Sequence, residues 1–191
     1  MHLILARFLS GQGIVQIVNV SVGIVLLWLL PVEEYAFYVI VWFLLVVASI
    51  ITNLGVSRAI TTLAAKHFED KLYLGSLYLT GLKINSRTYL VAVGLVIILS
   101  IVVFFEKEWS MSSISISILL LLLICWYQNK VNLQQALLNV HHDDKGLFAA
   151  GIIGGGLRLL ASGFCYIWPE ATVALAGSLI GAYASNKMLE S

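Results

Sequence analysis

Residues 35–56 read YAFYVIVWFLLVVASIITNLGV, with Glu33 and Glu34 just before them and Arg58 just after. No charged side chain interrupts the run. An α-helix rises about 1.5 Å per residue, so about 20 mostly apolar residues cross the ~30 Å hydrocarbon core of a bilayer. This stretch has that length and composition, and charged groups stand at both of its ends. It is read as a transmembrane helix.

Working outward, similar stretches recur at 14–30, 88–105, 114–127, 147–168 and 171–185, the last short and rich in small residues. The expectation is an all-α polytopic membrane protein, residues 1–191 forming a single bundle of about six spans. Composition agrees: 60% of the 191 residues are hydrophobic and 11% are charged. Soluble domains carry about 25% charged residues. Met1 to Arg7 is only weakly basic, and the run after it is interrupted by Gln12, Gln16 and Asn19 with no small-residue cleavage pattern. It is read as a retained first helix rather than a secretory signal.

The cations set the orientation. With the N-terminus inside, the inner side holds Arg7, Arg58, Lys66, Lys71, Lys83, Arg87, Lys130, Lys145 and Lys187, and the outer side only Lys107. Cytoplasmic connections of membrane proteins are enriched in Lys and Arg in this way. Both termini are therefore expected in the cytoplasm, and the chain in the inner (cytoplasmic) membrane. Trp28, Trp109 and Trp168 fall near outer helix ends and Trp126 near an inner one, where indole rings favour the interface. The long inner segment from Arg58 to Arg87 is read as helical continuations of spans two and three, broken near His67 to Lys71.

Polar residues on a regular spacing mark helix faces turned away from lipid. Gln12, Gln16, Asn19 and Gly23 make one stripe on the first helix; Tyr38, Trp42, Ser49 and Asn53 have compatible spacing on the second. Gln128, Asn132, Gln135 and Asn139 make a third on an inward extension of the fourth span. Hydrogen bonding between helices and the lining of a water-filled cavity both fit the stripes, and a face solvated by cytoplasm also fits the third. Gly151 with Gly155 and Gly177 with Gly181 are GxxxG pairs that let helices approach closely. The run Gly154-Gly155-Gly156 also allows a bend in the fifth span.

Enzyme chemistry has little to work with. All ten acidic residues lie in connections or at the tail, and GxSxG, HExxH, P-loop and dinucleotide fingerprints are missing. No enzyme activity and no cofactor are expected. A net charge of +1 gives no argument for nucleic acid. Cys125 and Cys165 sit in apolar runs and read as small hydrophobes. His141-His142-Asp143-Asp144 has metal-ligand residue types, yet adjacent residues in a solvated turn rarely converge on one ion, so it is read as a plain loop and no metal is expected.

Several local segments resemble bacterial polysaccharide flippases of the multidrug/oligosaccharidyl-lipid/polysaccharide exporter superfamily. These are Arg7-Phe8-Leu9-Ser10-Gly11-Gln12, then Leu30-Pro31-Val32-Glu33-Glu34-Tyr35-Ala36-Phe37-Tyr38, then Asn53-Leu54-Gly55-Val56 with Ala59-Ile60. The match covers roughly the first 60 residues, with Ala36 where the family usually has Gly. It implies a carrier that moves polyprenyl-diphosphate-linked oligosaccharide across the membrane by alternating access, for cell-surface polysaccharide such as lipopolysaccharide O-antigen. Members usually have twelve or more spans in two lobes around a central cavity. About six spans correspond to one amino-terminal lobe, and a second lobe or a second copy of this chain is the implied partner, beside membrane lipids. The other reading is a non-transporting membrane subunit, or an inactive remnant, of a glycan-assembly system.

In a flippase, Gln12, Gln16, Asn19 and Asn53 are the expected cavity-lining residues. Arg158 is the expected substrate-binding residue. It lies about eleven residues from each end of the fifth span, or roughly 16 Å from either surface. Holding it there against lipid costs about 2.5–3.5 kcal/mol on insertion scales. Its fork geometry suits a phosphate, with Arg58 and Arg7 as weaker partners near the inner mouth. Carbonyls freed by the glycine run are the alternative partners for its guanidinium.

Overall fold

The computed structural model describes residues 2–67, 69–104, 109–140 and 144–190, with side chains described from Gly13 and, in the last segment, from Gly146. Every regular element among them is helical: α1 His2–Leu29, α2 Val32–Asn53, α3 Val56–Lys66, α4 Lys71–Phe104, α5 Met111–Leu138, α6 Asp144–Ser162, a single 3-10 turn at Gly163–Tyr166, and α7 Ala171–Glu190. Four helical segments are long and apolar enough to cross a membrane: Val32–Asn53, Lys71–Phe104, Met111–Leu138 and Gly146–Tyr166. Gly13–Leu29 is apolar but shorter. α7 is a full helix at the place of the sixth expected span, but Gly177, Ser178, Gly181, Ser185, Asn186 and Lys187 dilute its apolar character and it falls outside that set. The outward surface is apolar: Phe43, Leu90 and Ile98 are 64%, 70% and 60% exposed. Water would not tolerate such faces in bulk, and lipid does. This is a membrane-embedded helical protein.

Local sequence explains where the helices stop. Pro31 separates α1 from α2, since the residue before a proline is pushed out of the helical region. Glu33 and Glu34 then fall in the first turn of α2, where negative charge favours the helix dipole. α2 ends at Asn53 rather than running on to Val56, because Leu54 (φ 35°) and Gly55 (φ 82°) adopt left-handed backbone. A leucine with positive φ is strained, and the glycine beside it is not. Asn53 Oδ1 accepts from the Ser57 N–H and hydroxyl, both at 3.0 Å, and so satisfies one open donor in the first turn of α3. Asp70 caps α4, its Oδ1 accepting from the N–H groups of Leu72 and Tyr73 at 3.0 Å. The break between α3 and α4 thus falls between Lys66 and Lys71, the polar stretch expected to interrupt the helices. α4 then runs unbroken for 34 residues, about 51 Å at 1.5 Å each, well beyond a bilayer core.

The chain divides into two compact units. The first comprises Met1–Val39 and Asp144–Ser191, and its organising helix is α6. Gly151 and Gly155 face α1: a Cβ at either would come within 3.0 Å and 2.8 Å of Val15 and Val18 side-chain carbons. Gly154 faces α7, where a Cβ would come within 2.8 Å of the Gly181 carbonyl oxygen. The two GxxxG pairs therefore serve different contacts. The α6 pair meets α1, and the α7 pair meets Ala161 and Gly154 of α6. The helix is continuous through Gly154-Gly155-Gly156, with Gly154 and Gly155 packed against neighbouring helices. Glu34 Oε2 accepts from the Ala171 N–H at 2.8 Å, satisfying one of the open donors at the start of α7.

The second unit, Ile40–Asp143, holds the rest of α2 with α3, α4 and α5. Its core includes Ile60, Leu133 and Ala136, with Leu77, Tyr78 and Leu82 packed on them. Polar side chains tie the helices across: Thr88 Oγ1 donates to the Thr52 carbonyl at 2.6 Å, and Tyr89 Oη to the Leu122 carbonyl at 3.0 Å. Thr61 Oγ1 donates to the Ala136 carbonyl at 3.3 Å.

Candidate functional site

On α2, Trp42, Leu45, Ser49 and Asn53 follow one another at helical spacing and so share a face. On α5, Gln128 and Asn132 are one turn apart and share another. In the second unit these two faces, with Leu54, Gly55 and Arg58 from the break and start of α3, line a groove of about 460 Å³. Its size is at the lower end of small-ligand clefts, about 300–1,000 Å³. The stripe on the second helix and the stripe on the extended fourth thus meet in one place.

The groove offers two side-chain amides on α5, the Asn53 amide and the Ser49 hydroxyl, a flat indole wall at Trp42, and one cation, Arg58, on the first turn of α3. No carboxylate lines it. Amides and an aromatic face suit a polyhydroxylated ligand, and an exposed guanidinium suits an anionic oxygen. Asn53 has a second duty, because its carbonyl oxygen is taken by Ser57. Arg58 is positioned by the α2–α3 break: a continued helix would have carried it onward along the α2 axis. Gln135 and Asn139 continue the α5 stripe beyond the groove, with Asn139 exposed.

The other sequence-derived site residues lie elsewhere. Arg158 belongs to the first unit. It is half-buried, and its Nη2 donates to Tyr38 Oη at 2.8 Å, with Tyr38 itself 5% exposed. A phenol on α2 is thus one partner of the guanidinium, and the glycine run stays helical. Its stem packs against α7, where a Cβ on Gly181 would lie 3.1 Å from Arg158 Cβ. Gln16 and Asn19 are exposed on α1. The side chains of Arg7 and Gln12 lie outside the described residues, as does most of His141-His142-Asp143-Asp144. Among the described residues no group of histidine, cysteine and acidic side chains could hold a metal ion.

Tyr38 as the partner of Arg158 was missed in the sequence. Counting 147–168 as one uniform helix places Arg158 in its middle. The α-helix ends at Ser162, whose hydroxyl donates to the Arg158 carbonyl at 2.9 Å, so the arginine is one turn from the helix end. That brings it within reach of Tyr38 near the start of α2. The signal available was the hydroxyl on an otherwise apolar turn of the second span.

No family model, curated protein or solved structure matches the chain. Its class comes from its own helices: a polytopic helical membrane protein with one polar, singly cationic groove in its second unit.

Proposed function

We propose that this chain is one six-span lobe of a membrane transporter, with both termini in the cytoplasm. Working with a second lobe or a second copy, it flips polyprenyl-diphosphate-linked oligosaccharide across the cytoplasmic membrane for cell-surface polysaccharide synthesis. The observation that carries the reading is the groove: amides, an indole face and Arg58 gathered inside helices that are otherwise apolar. Sugar hydroxyls and a diphosphate call for that mixture of groups. The inward bias of Lys and Arg supports the topology, and the resemblance in the first 60 residues supports the substrate class. Alternating access by rocking one bundle against another needs a second bundle, so activity is assigned to the assembly.

A second reading is a non-transporting membrane subunit of a glycan-assembly system. The Tyr38–Arg158 hydrogen bond favours it, since it gives the intramembrane arginine a purely structural use. Complementation separates the two. The chain, alone and with a second six-span lobe, is expressed in a flippase-deficient strain, and surface glycan is measured. Export restored by the pair and lost in Arg58→Ala and Asn132→Ala, with insertion unchanged, supports the transporter. Export that neither lobe combination restores leaves the subunit reading.

A further inference from the structure

On neighbouring faces of α2 and α5 lies a second and much smaller space. It is about 10 Å³ and is bounded by Thr52 of α2, Asn85 and Ser86 of α4, and Asn129 and Lys130 of α5. Asn85 and Asn129 are 4% and 3% exposed. Three of their polar atoms, Asn85 Nδ2, Asn85 Oδ1 and Asn129 Oδ1, are buried without a hydrogen-bond partner. The fourth, Asn129 Nδ2, donates to the Cys125 carbonyl at 2.8 Å. An unmet buried polar atom is costly, and membrane helices find no bulk water in the lipid to relieve it.

We propose that this space holds one ordered water molecule, bridging Asn85 of α4 to Asn129 of α5 against Thr52 of α2. The volume is that of a single water and no more. A water accepts from Asn85 Nδ2 while donating to Asn129 Oδ1, which a metal cation cannot do, because a cation leaves the amide donor unmet. The ammonium of Lys130 on the same wall also opposes a cation. Interchanging the Asn85 amide atoms changes nothing, since both are unbonded. An apolar occupant would leave all three atoms unmet. The water ties α4 to α5 at Asn129, the residue next to Gln128 of the groove.

The test uses hydroxyl radicals generated from water by X-ray radiolysis of the whole chain in lipid nanodiscs. Such radicals form where water sits and react with the nearest sulfur. Cys125 Sγ lies 3.4 Å from Asn129 Nδ2, and Cys125 and Cys165 are both 0% exposed, so Cys165 serves as the shielded control. Cys125 is expected to oxidise several-fold faster than Cys165. In Asn85→Leu, and in the gentler Asn85→Gln whose longer amide fills the space, it should fall towards the Cys165 rate. Equal rates for the two cysteines in the unaltered chain would overturn the proposal. So would a fast Cys125 that neither substitution slows, since the radical source would then be the groove side.

Discussion

Replacing Gly181 with alanine adds one methyl group, and the structure says where it goes. The new Cβ would lie 2.5 Å from the Gly154 carbonyl oxygen, whereas ordinary contact begins at 3.4 Å. The obstacle is backbone, which cannot rotate aside, so α6 and α7 must part by roughly 0.9 Å along that line. A gap of that size forfeits a quarter to a half of the dispersion energy of each contact it opens. Overpacking of this kind costs about 1–3 kcal/mol, and a backbone obstacle puts it near about 3. Alanine returns about 1 kcal/mol of helix propensity, leaving a net loss of about 2 kcal/mol. Gly156→Ala is the matched control, for a Cβ there meets nothing within 4 Å, and it should stabilise by about 1 kcal/mol. The two variants should differ by about 3 kcal/mol, or roughly 6–12 °C in Tm for a chain of this length. Thermal unfolding in detergent, followed by loss of the monodisperse peak, reads the difference. If Gly181→Ala melts with or above Gly156→Ala, the close α6–α7 crossing is wrong.

Tyr38→Phe removes the acceptor for Arg158 and should destabilise the first unit by about 1.5–3 kcal/mol, the range for hydrogen bonds to charged groups, seen as a lower Tm. In a full-length, export-competent assembly, Arg158→Lys is expected to keep partial export and Arg158→Ala to lose it while inserting normally; wild-type export by the alanine variant would remove Arg158 from the substrate path. Single cysteines at Glu33 and Glu170 should react with an impermeant maleimide from outside intact cells, and those at Lys71 and Lys145 only after permeabilisation. The native cysteines are fully buried and give little background. Asp70→Ala should cost about 1 kcal/mol by uncapping α4, with amide exchange rising at Leu72 and Tyr73 first.

The helical class and the four longest apolar helices were legible because lipid demands long apolar runs and charged ends. The Lys66–Lys71 break was legible for the same reason. The end of α2 was not: residues 54–56 are as apolar as a span, and only backbone dihedrals at Leu54 and Gly55 show the turn. For the groove, the stripes on α2 and α5 were visible separately. Their meeting was not, since spacing along one helix says nothing about which helix faces it. Residues Gln16 and Asn19 show the limit of the method, as their stripe is regular and yet their side chains are exposed on α1. The buried Asn85 and Asn129 drew no notice because each sits in a polar stretch, beside Ser86 and Arg87 or between Gln128 and Lys130, where nothing marks it as the buried one.

The glycine faces of α6 and α7 have a genetic consequence. Every amino-acid replacement reachable from a glycine codon by one base change adds at least a Cβ. At Gly154, Gly177 and Gly181 that atom meets a neighbouring helix closer than carbon atoms allow. Third-base changes keep the glycine, but no single-base replacement of it at these positions fits without a compensating shift in the partner helix. Random mutagenesis should therefore recover almost no tolerated change at these three codons, while Gly156 and Gly163, which face open space, should accumulate substitutions freely.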